Sequence, residues 1–307
     1  MVFSNIAEYK TMFSNNYSFM KKISISLILS LMFLLLMGKS AIAQIETPAP
    51  SPQGTVTQRV GLTDFTVRYS RPSLKGRTMF GETLPYGQPW RTGANGSTVL
   101  SFKDAVTIEG VKVPAGEYAL YSIPTANEWT IILNKNTSFG GNTHQYKAEE
   151  DVARFTVKPT KTAVKTETLT INFTDVTPAT ANLEILWENT SVKFKIVTEV
   201  ESKVMAQIQE KVINGKNVTP DLYAAAAVYY FDNNKDNKLA LDWIKKANEK
   251  DPKFWNLHSQ AKIQAKNKDY KGAIASAEKS IALAKEAKNN DYVRMNEKLI
   301  ADWKKMK

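Results

Sequence analysis

The period of the apolar residues changes once along this chain, near residue 200. Between residues 55 and 200 apolar side chains recur at every second position, as in Phe65-Thr66-Val67-Arg68-Tyr69; beyond residue 201 they recur at every third and fourth. The first pattern is that of half-buried strands and the second that of amphipathic helices. A β part followed by a helical part is therefore expected.

Strand patterns follow one another at residues 55–60, 65–69, 98–102, 105–108, 111–113, 117–123, 129–133, 154–158, 167–174, 181–187 and 191–200. Glu109-Gly110 reads as the two-residue turn of a hairpin. These eleven stretches read as roughly nine or ten short strands, the shortest neighbours being merged, at regular spacing and with no helix pattern between them. A parallel sheet needs crossover helices, so the expectation is an all-β antiparallel sandwich or flattened barrel, followed by an all-α domain of helical repeats.

In the second part Val204, Ile208 and Val212 form one helical stripe, stopped at Asn214-Gly215. Thr219-Pro220-Asp221 is a helix start, a capping residue followed by proline at the first helical position. An internal repeat follows. Ala240-Leu241 with Lys246-Ala247 recurs 33 residues later as Ala273-Ile274 with Lys279-Ser280, and Tyr223 and Ala227 recur 34 residues later as Leu257 and Ala261. This spacing resembles tetratricopeptide repeats, in two degenerate copies with flanking helices. A repeat pair cannot bury its apolar face alone, so its neighbour is expected to be either the β domain or a protein partner docked on residues 219–290.

Cysteine is absent, which removes disulfides, thiolate nucleophiles and thiolate metal sites. The only two histidines, His144 and His258, fall in different parts of the chain. No metal site, cofactor or catalytic set is indicated. Lys21-Lys22, an apolar run over residues 23–37 and the small-residue pattern Ala41-Ile42-Ala43 read as a secretory signal peptide, with Met20 the expected start. Fifteen residues at about 1.5 Å each span about 22 Å, short of a bilayer core of about 30 Å. Membrane attachment is expected only through an uncleaved signal. Removing residues 1–43 takes away four basic residues and one acid, so the net charge of +11 becomes +8. These cations are scattered along helices rather than blocked, and nucleic acid is not an expected partner. The resulting organisation is an upstream extension and signal at 1–43, a Pro-rich spacer at 44–53, a β domain at 54–200 and a helical domain at 201–307. The protein is expected to be exported, to the periplasm or the cell surface.

Residues 69–95 interrupt the strand pattern with four glycines, three prolines and the cations Arg71, Lys75, Arg77 and Arg91, against one acid, Glu82. Long ordered loops ordinarily carry function. If the glycines fold the loop back, these cations converge and suit an anionic or glycan-like ligand over an apolar floor that includes Trp90. The competing role is structural, each arginine locking the loop onto the sandwich. Asn95 suits either a left-handed turn or a ligand. A second polar loop, residues 134–151, adds Asn134, His144, Tyr146 and Asp151, with Arg154 just after it. Two other classes stay open: a hydrolase of envelope polymers using His144 or Asp151, and a plain scaffold for the helices.

The strings Tyr69-Ser70-Arg71-Pro72, Gly76-Arg77, Phe80-Gly81 and Trp90-Arg91-Thr92-Gly93-Ala94-Asn95, with Pro114-Ala115-Gly116-Glu117-Tyr118 and Trp129-Thr130-Ile131-Ile132-Leu133-Asn134, complete a pattern. Over residues 53–200 the chain resembles the secreted family catalogued as domain of unknown function 2911, found mainly in Bacteroidetes-type bacteria. The resemblance implies an exported β domain, often followed by helical repeats. It implies no activity, cofactor or functional residue.

Overall fold

The computed structural model describes residues 47–140 and 143–306. The signal peptide, the expected start at Met20, the first residues of the spacer and Gly141 lie outside the described residues. From Ser51 onward the chain is one compact unit.

Ten strands form two antiparallel sheets among the described residues. They are β1 (Gln53–Val60), β2 (Thr63–Ser70), β3 (Val99–Phe102), β4 (Val106–Ile108), β5 (Val111–Val113), β6 (Gly116–Pro124), β7 (Trp129–Asn134), β8 (Asp151–Val157), β9 (Thr160–Thr174) and β10 (Thr180–Thr198). One sheet runs β1-β2-β3-β6-β7-β8 and the other β5-β4-β10-β9. The alternation decides which faces meet. Phe65, Val67, Leu100, Leu120, Ile131 and Leu133 of the first sheet share one core with Ile108, Leu169, Ile171, Leu183, Ile185, Phe194 and Ile196 of the second. Two separate sheets over one core make a sandwich rather than a barrel. Glu109 and Gly110 both take positive φ (45° and 83°), as a tight turn between β4 and β5 requires.

The last two strands are 15 and 19 residues long, where short ones were expected. In β10 the buried apolar residues are Ala181, Leu183, Ile185 and Trp187, then Val192, Phe194 and Ile196. Odd positions give way to even ones across an irregularity in pairing at residues 186–190, where Glu188 adopts φ of 52°. A bulge absorbs the one-residue slip that would otherwise turn the second half of the strand inside out. The sequence pattern breaks at that point, which is why it reads as two strands.

Six α-helices follow: α1 (Glu201–Ile208), extended by a π-helical turn over Gln209–Ile213, then α2 (Pro220–Asp232), α3 (Asn237–Lys250), α4 (Phe254–Lys266), α5 (Tyr270–Glu286) and α6 (Asn290–Lys304). Thr219 caps α2 by accepting from the Leu222 N–H at 3.3 Å. Asp236 caps α3 and Asp269 caps α5 in the same way, 33 residues apart. Helices α2 and α3 pack as one hairpin and α4 and α5 as the next. Ala227, Ala240, Ala261 and Ala273 are fully buried, as close helix crossings need. Among the described residues no helix is long and apolar enough to cross a membrane.

Strand and helix parts meet around the β1–β2 turn. Asp104 accepts from the Thr63 hydroxyl and from Lys203 Nζ of α1, each at 2.6 Å. Leu62 lines an apolar cleft of about 260 Å³ together with Val204, Ile208, Val212 and Leu222. Gly61 makes this approach feasible. Its φ is 59°, and a Cβ there would sit 2.5 Å from Thr198 Oγ1 and Val200 Cγ2.

Candidate functional site

The cations of residues 69–95 do not converge. Arg71 donates from Nε to the Leu169 carbonyl (3.1 Å) and from its terminal nitrogen to Thr170 Oγ1 (3.0 Å), both on β9. Arg77 turns back on its own loop, donating to the carbonyls of Leu74 (2.9 Å) and Ser73 (2.8 Å). Lys75 is exposed at φ of 49°, and its backbone N–H donates to Glu167. The bonds from Arg71 and the Lys75 N–H, with an isolated bridge between Ser73 and Thr168, fasten the loop along β9, while those of Arg77 brace the loop internally. Structural locking is what Arg71 and Arg77 do here.

Trp90, expected beneath a ligand, belongs to the core instead. Only 5% of it is exposed; it stacks on Trp187 at 5.7 Å and meets Phe80 and Trp129 edge-on, and its indole N–H donates to the Gly93 carbonyl. Asn95 sits at φ of 56°, the left-handed turn position, with its amide near Ser51 and Ser70.

Arg91 goes the other way. Trp90 and Ser122 exchange two backbone hydrogen bonds (2.7 and 2.9 Å), so residues 90–91 run beside β6 as a short extra rung. Trp90 faces the core, and the next residue, Arg91, falls opposite Tyr121 on the outer face. Register continues the row: Tyr121 pairs with Ile132, and Ile132 with Arg154. Arg91, Tyr121, Ile132 and Arg154 therefore cross the outer face of the six-stranded sheet in line.

The second polar loop folds over this row. Asn134, fully buried, holds the loop's two ends together: its amide donates to the Lys147 carbonyl and to Asp151 Oδ1, both at 3.0 Å, while its oxygen accepts from the Asn136 N–H. Asp151 Oδ2 accepts from the Tyr146 hydroxyl (2.6 Å) and from Arg154 (2.9 Å), and Arg154 also donates to the Tyr146 oxygen. Burial, reinforced by the bond to Asp151, pushes the Tyr146 phenol up to about 12. Both oxygens of Asp151 are thus engaged in holding the loop. His144 is exposed in a short 3-10 turn (Thr143–Gln145). Phe139 and Tyr146 pack on Ala119, Tyr121 and Ile132, with the two tyrosine rings 5.5 Å apart.

Under this loop lies a cluster of buried polar atoms with no hydrogen-bond partner among the described residues: Arg91 Nε, Ser97 Oγ, Tyr121 Oη and Glu150 Oε2. Tyr121 is completely buried. Its hydroxyl neighbours that of Ser97 without the geometry of a hydrogen bond, and Arg91 and Glu150 are close enough to act on its ionisation in opposite senses. Burial is the largest influence on both sides, raising the Tyr121 phenol and lowering the Arg91 guanidinium from their ordinary values. Arg91 forms no ion pair among the described residues. Native proteins leave few buried polar atoms unpaired, and one such hydroxyl with three more unpaired atoms in its neighbourhood needs a reason.

Residues 51–196 match the family model described as protein of unknown function (DUF2911). Every member of the cluster lies inside the matched segment, and helices α1 to α6 lie outside it. No curated protein and no solved structure matches the chain. Among the described residues no group of three or more His, Asp or Glu side chains is placed to hold a metal ion.

Of the residues singled out in the sequence, Arg91, Tyr146 and Asp151 come together at this place; Arg71, Lys75, Arg77, Trp90 and Asn95 do not join them. Ser97, Tyr121 and Glu150 were not foreseen. Their one sequence signal is in β6, where Ala119-Leu120-Tyr121-Ser122 is buried on both faces. A strand covered on both sides obliges its tyrosine hydroxyl to find a partner.

Proposed function

We propose that this protein is an exported, non-catalytic binding module. Its β domain takes an anionic or glycan-like ligand on the outer face of the six-stranded sheet, and its tetratricopeptide-like helical hairpins dock a protein partner. The observation that carries the reading is the buried Tyr121 hydroxyl, unpaired among the described residues, with unpaired atoms of Arg91, Ser97 and Glu150 in its neighbourhood. Polar groups withdrawn from water without partners are destabilising, and a ligand that completes them recovers that loss on binding. Export rests on the signal-like residues 21–43, and the docking role on the repeated buried alanines of α2 to α5.

The test is an array of bacterial glycans and lipids probed with the wild-type protein and with Arg91→Ala and Tyr121→Phe. Binding by the wild type that both variants lose, while their circular dichroism and thermal unfolding stay those of a folded domain, supports the reading. Binding that survives both changes overturns it, as does a wild type that binds nothing on the array.

A further inference from the structure

Helices α3 and α5 both pack on α4, and between them they leave a groove of about 550 Å³ with α4 as its floor. The two walls run parallel, each antiparallel to the floor: Asn237 of α3 bonds to Asn267 just past α4, and Ser280 of α5 bonds to Phe254 at the start of α4. A chain of hydrogen bonds ties walls to floor. Gln260 of α4 accepts from the Asn248 amide of α3 (2.9 Å) and donates to the Ser276 hydroxyl of α5 (3.1 Å); Ser276 donates to Gln264 (2.6 Å), and Gln264 to Asp269 (3.1 Å), the cap of α5. The carboxylate at the end can only accept, so the direction of every bond is fixed. A groove braced in this way is formed before anything enters it, which lowers the ordering cost of binding.

The lining changes along the groove. At the level of Gln260 the walls are polar. One helical turn back on α3 stands Lys245, and one turn forward on α5 stands Lys279, both exposed and neither in an ion pair among the described residues. At and beyond Lys279 the lining is apolar, made by Pro252, Leu257, Ala282 and Leu283, and Glu249 is the one acid among the lining residues. The helices also hold most of the positive charge. Residues 201–307 carry 21 basic and 14 acidic residues, a net of +7, against 16 and 15 over residues 44–200, a net of +1.

These features select a partner. A lone phosphate or carboxylate reaches a lysine but leaves the apolar end empty and has no donor for Glu249. A bilayer is met by protruding side chains, and a recessed groove cannot lie against it. An extended polypeptide with acidic side chains and one large apolar side chain meets every part of the lining. Its backbone N–H groups suit Glu249, and the apolar side chain suits the end made by Leu257 and Leu283. The two lysines stand about 11 Å apart along the axis, two turns of about 5.4 Å, which three residues of extended chain at about 3.3 Å each span. Resting on the docking half of the proposed function and narrowing it, we infer that the protein partner offers an acidic segment with one bulky apolar side chain to the groove between α3 and α5.

The probes are synthetic peptides that set one leucine or phenylalanine among glutamates, with counterparts in which glutamine or lysine replaces glutamate or alanine replaces the apolar residue, beside phosphatidylglycerol vesicles and inorganic phosphate. Each is titrated calorimetrically against wild type, Lys245→Glu with Lys279→Glu, and Ala282→Trp, which fills the apolar end without changing charge. The control, Lys238→Glu with Lys271→Glu, makes the same change of charge on the same two helices outside the groove. All five positions are exposed, and circular dichroism with thermal unfolding verifies each fold. The inference is supported by acidic peptides that bind, weaken without their apolar residue, lose about tenfold or more in both groove variants and change by no more than about threefold in the control. Tighter binding of the glutamine or lysine counterparts, of vesicles or of phosphate overturns it, as does an equal loss in the control, the sign of attraction to net charge alone. Peptide binding that Ala282→Trp leaves intact puts the partner elsewhere on the hairpins and overturns the inference alone. A panel in which no peptide binds overturns the docking reading with it.

Discussion

At the scale of single residues, two tyrosines facing each other across 5.5 Å have opposite energetic parts. Tyr146 donates to Asp151 and accepts from Arg154, and so ties the loop down. Tyr121 brings a hydroxyl into a fully buried place and bonds it to nothing among the described residues. Leaving such a group unmade carries a desolvation penalty of about 1–3 kcal/mol. Tyr121→Phe, which removes only that oxygen, is expected to leave stability unchanged or raise it by about 1 kcal/mol, whereas Tyr146→Phe lowers it by about 1–3 kcal/mol. Urea unfolding of the ligand-free protein checks both. A Tyr121→Phe variant that loses more than about 1 kcal/mol would mean the hydroxyl is engaged within the fold, and the case for a ligand there would go with it.

At the scale of elements, residues 69–95 act as a strap whose side chains have three destinations. Arg71 and Arg77 bind carbonyls, Trp90 enters the core and Arg91 reaches the outer face. Substituting along it should give a graded series in chemical denaturation. Trp90→Ala opens a large cavity among Phe80, Trp129 and Trp187 and is expected to cost about 3–5 kcal/mol. Arg71→Ala frees the Leu169 carbonyl and is expected to cost about 1–3 kcal/mol. Arg91→Ala breaks no bond among the described residues and is expected to fall within about 0.5 kcal/mol of wild type. Equal losses at Arg71 and Arg91 would contradict the division. This series also marks where the sequence stops being readable. Strand alternation, the Glu109-Gly110 turn and the helix caps are local, and residue types alone report them. The destinations of Trp90 and Arg91 are set by pairing with Ser122, thirty-two positions away, and no period runs through the strap to announce it. Tyr121 was hidden for a related reason: in a strand buried on both faces, alternation does not say which face closes a core and which closes a site.

At the scale of the whole molecule, the β part and the helices are joined at a place where charge and apolar contact coincide, and this makes their connection sensitive to acid. Asp104 receives hydrogen bonds from Lys203 and Thr63, and these hold its carboxyl below the ordinary carboxylate value, the bond from Lys203 first and that from Thr63 next. A carboxyl whose folded value is depressed adds stability that is fully present above its unfolded value of about 4. That stability drains away as the pH falls further, through the depressed value. Both partners are about one-third exposed, at 34% for Asp104 and 37% for Lys203, so the attraction is partly screened by solvent. Asp104→Asn is therefore expected to unfold at lower urea than wild type near neutral pH, with the gap constant down to about pH 5 and closing as the pH falls below the unfolded value of about 4. Added salt should narrow the gap at pH 7, since an exposed pair is screened over about 10 Å at 0.1 M ionic strength. If the contact matters to the joint rather than to one part alone, the gap appears both in the far-ultraviolet helix signal and in the fluorescence of Trp90, Trp129 and Trp187, read in a background where the helical Trp243, Trp255 and Trp303 are replaced by phenylalanine. A gap that persists unchanged at pH 2 would show that Asp104 acts through shape or through its bond with Thr63, and not through its charge.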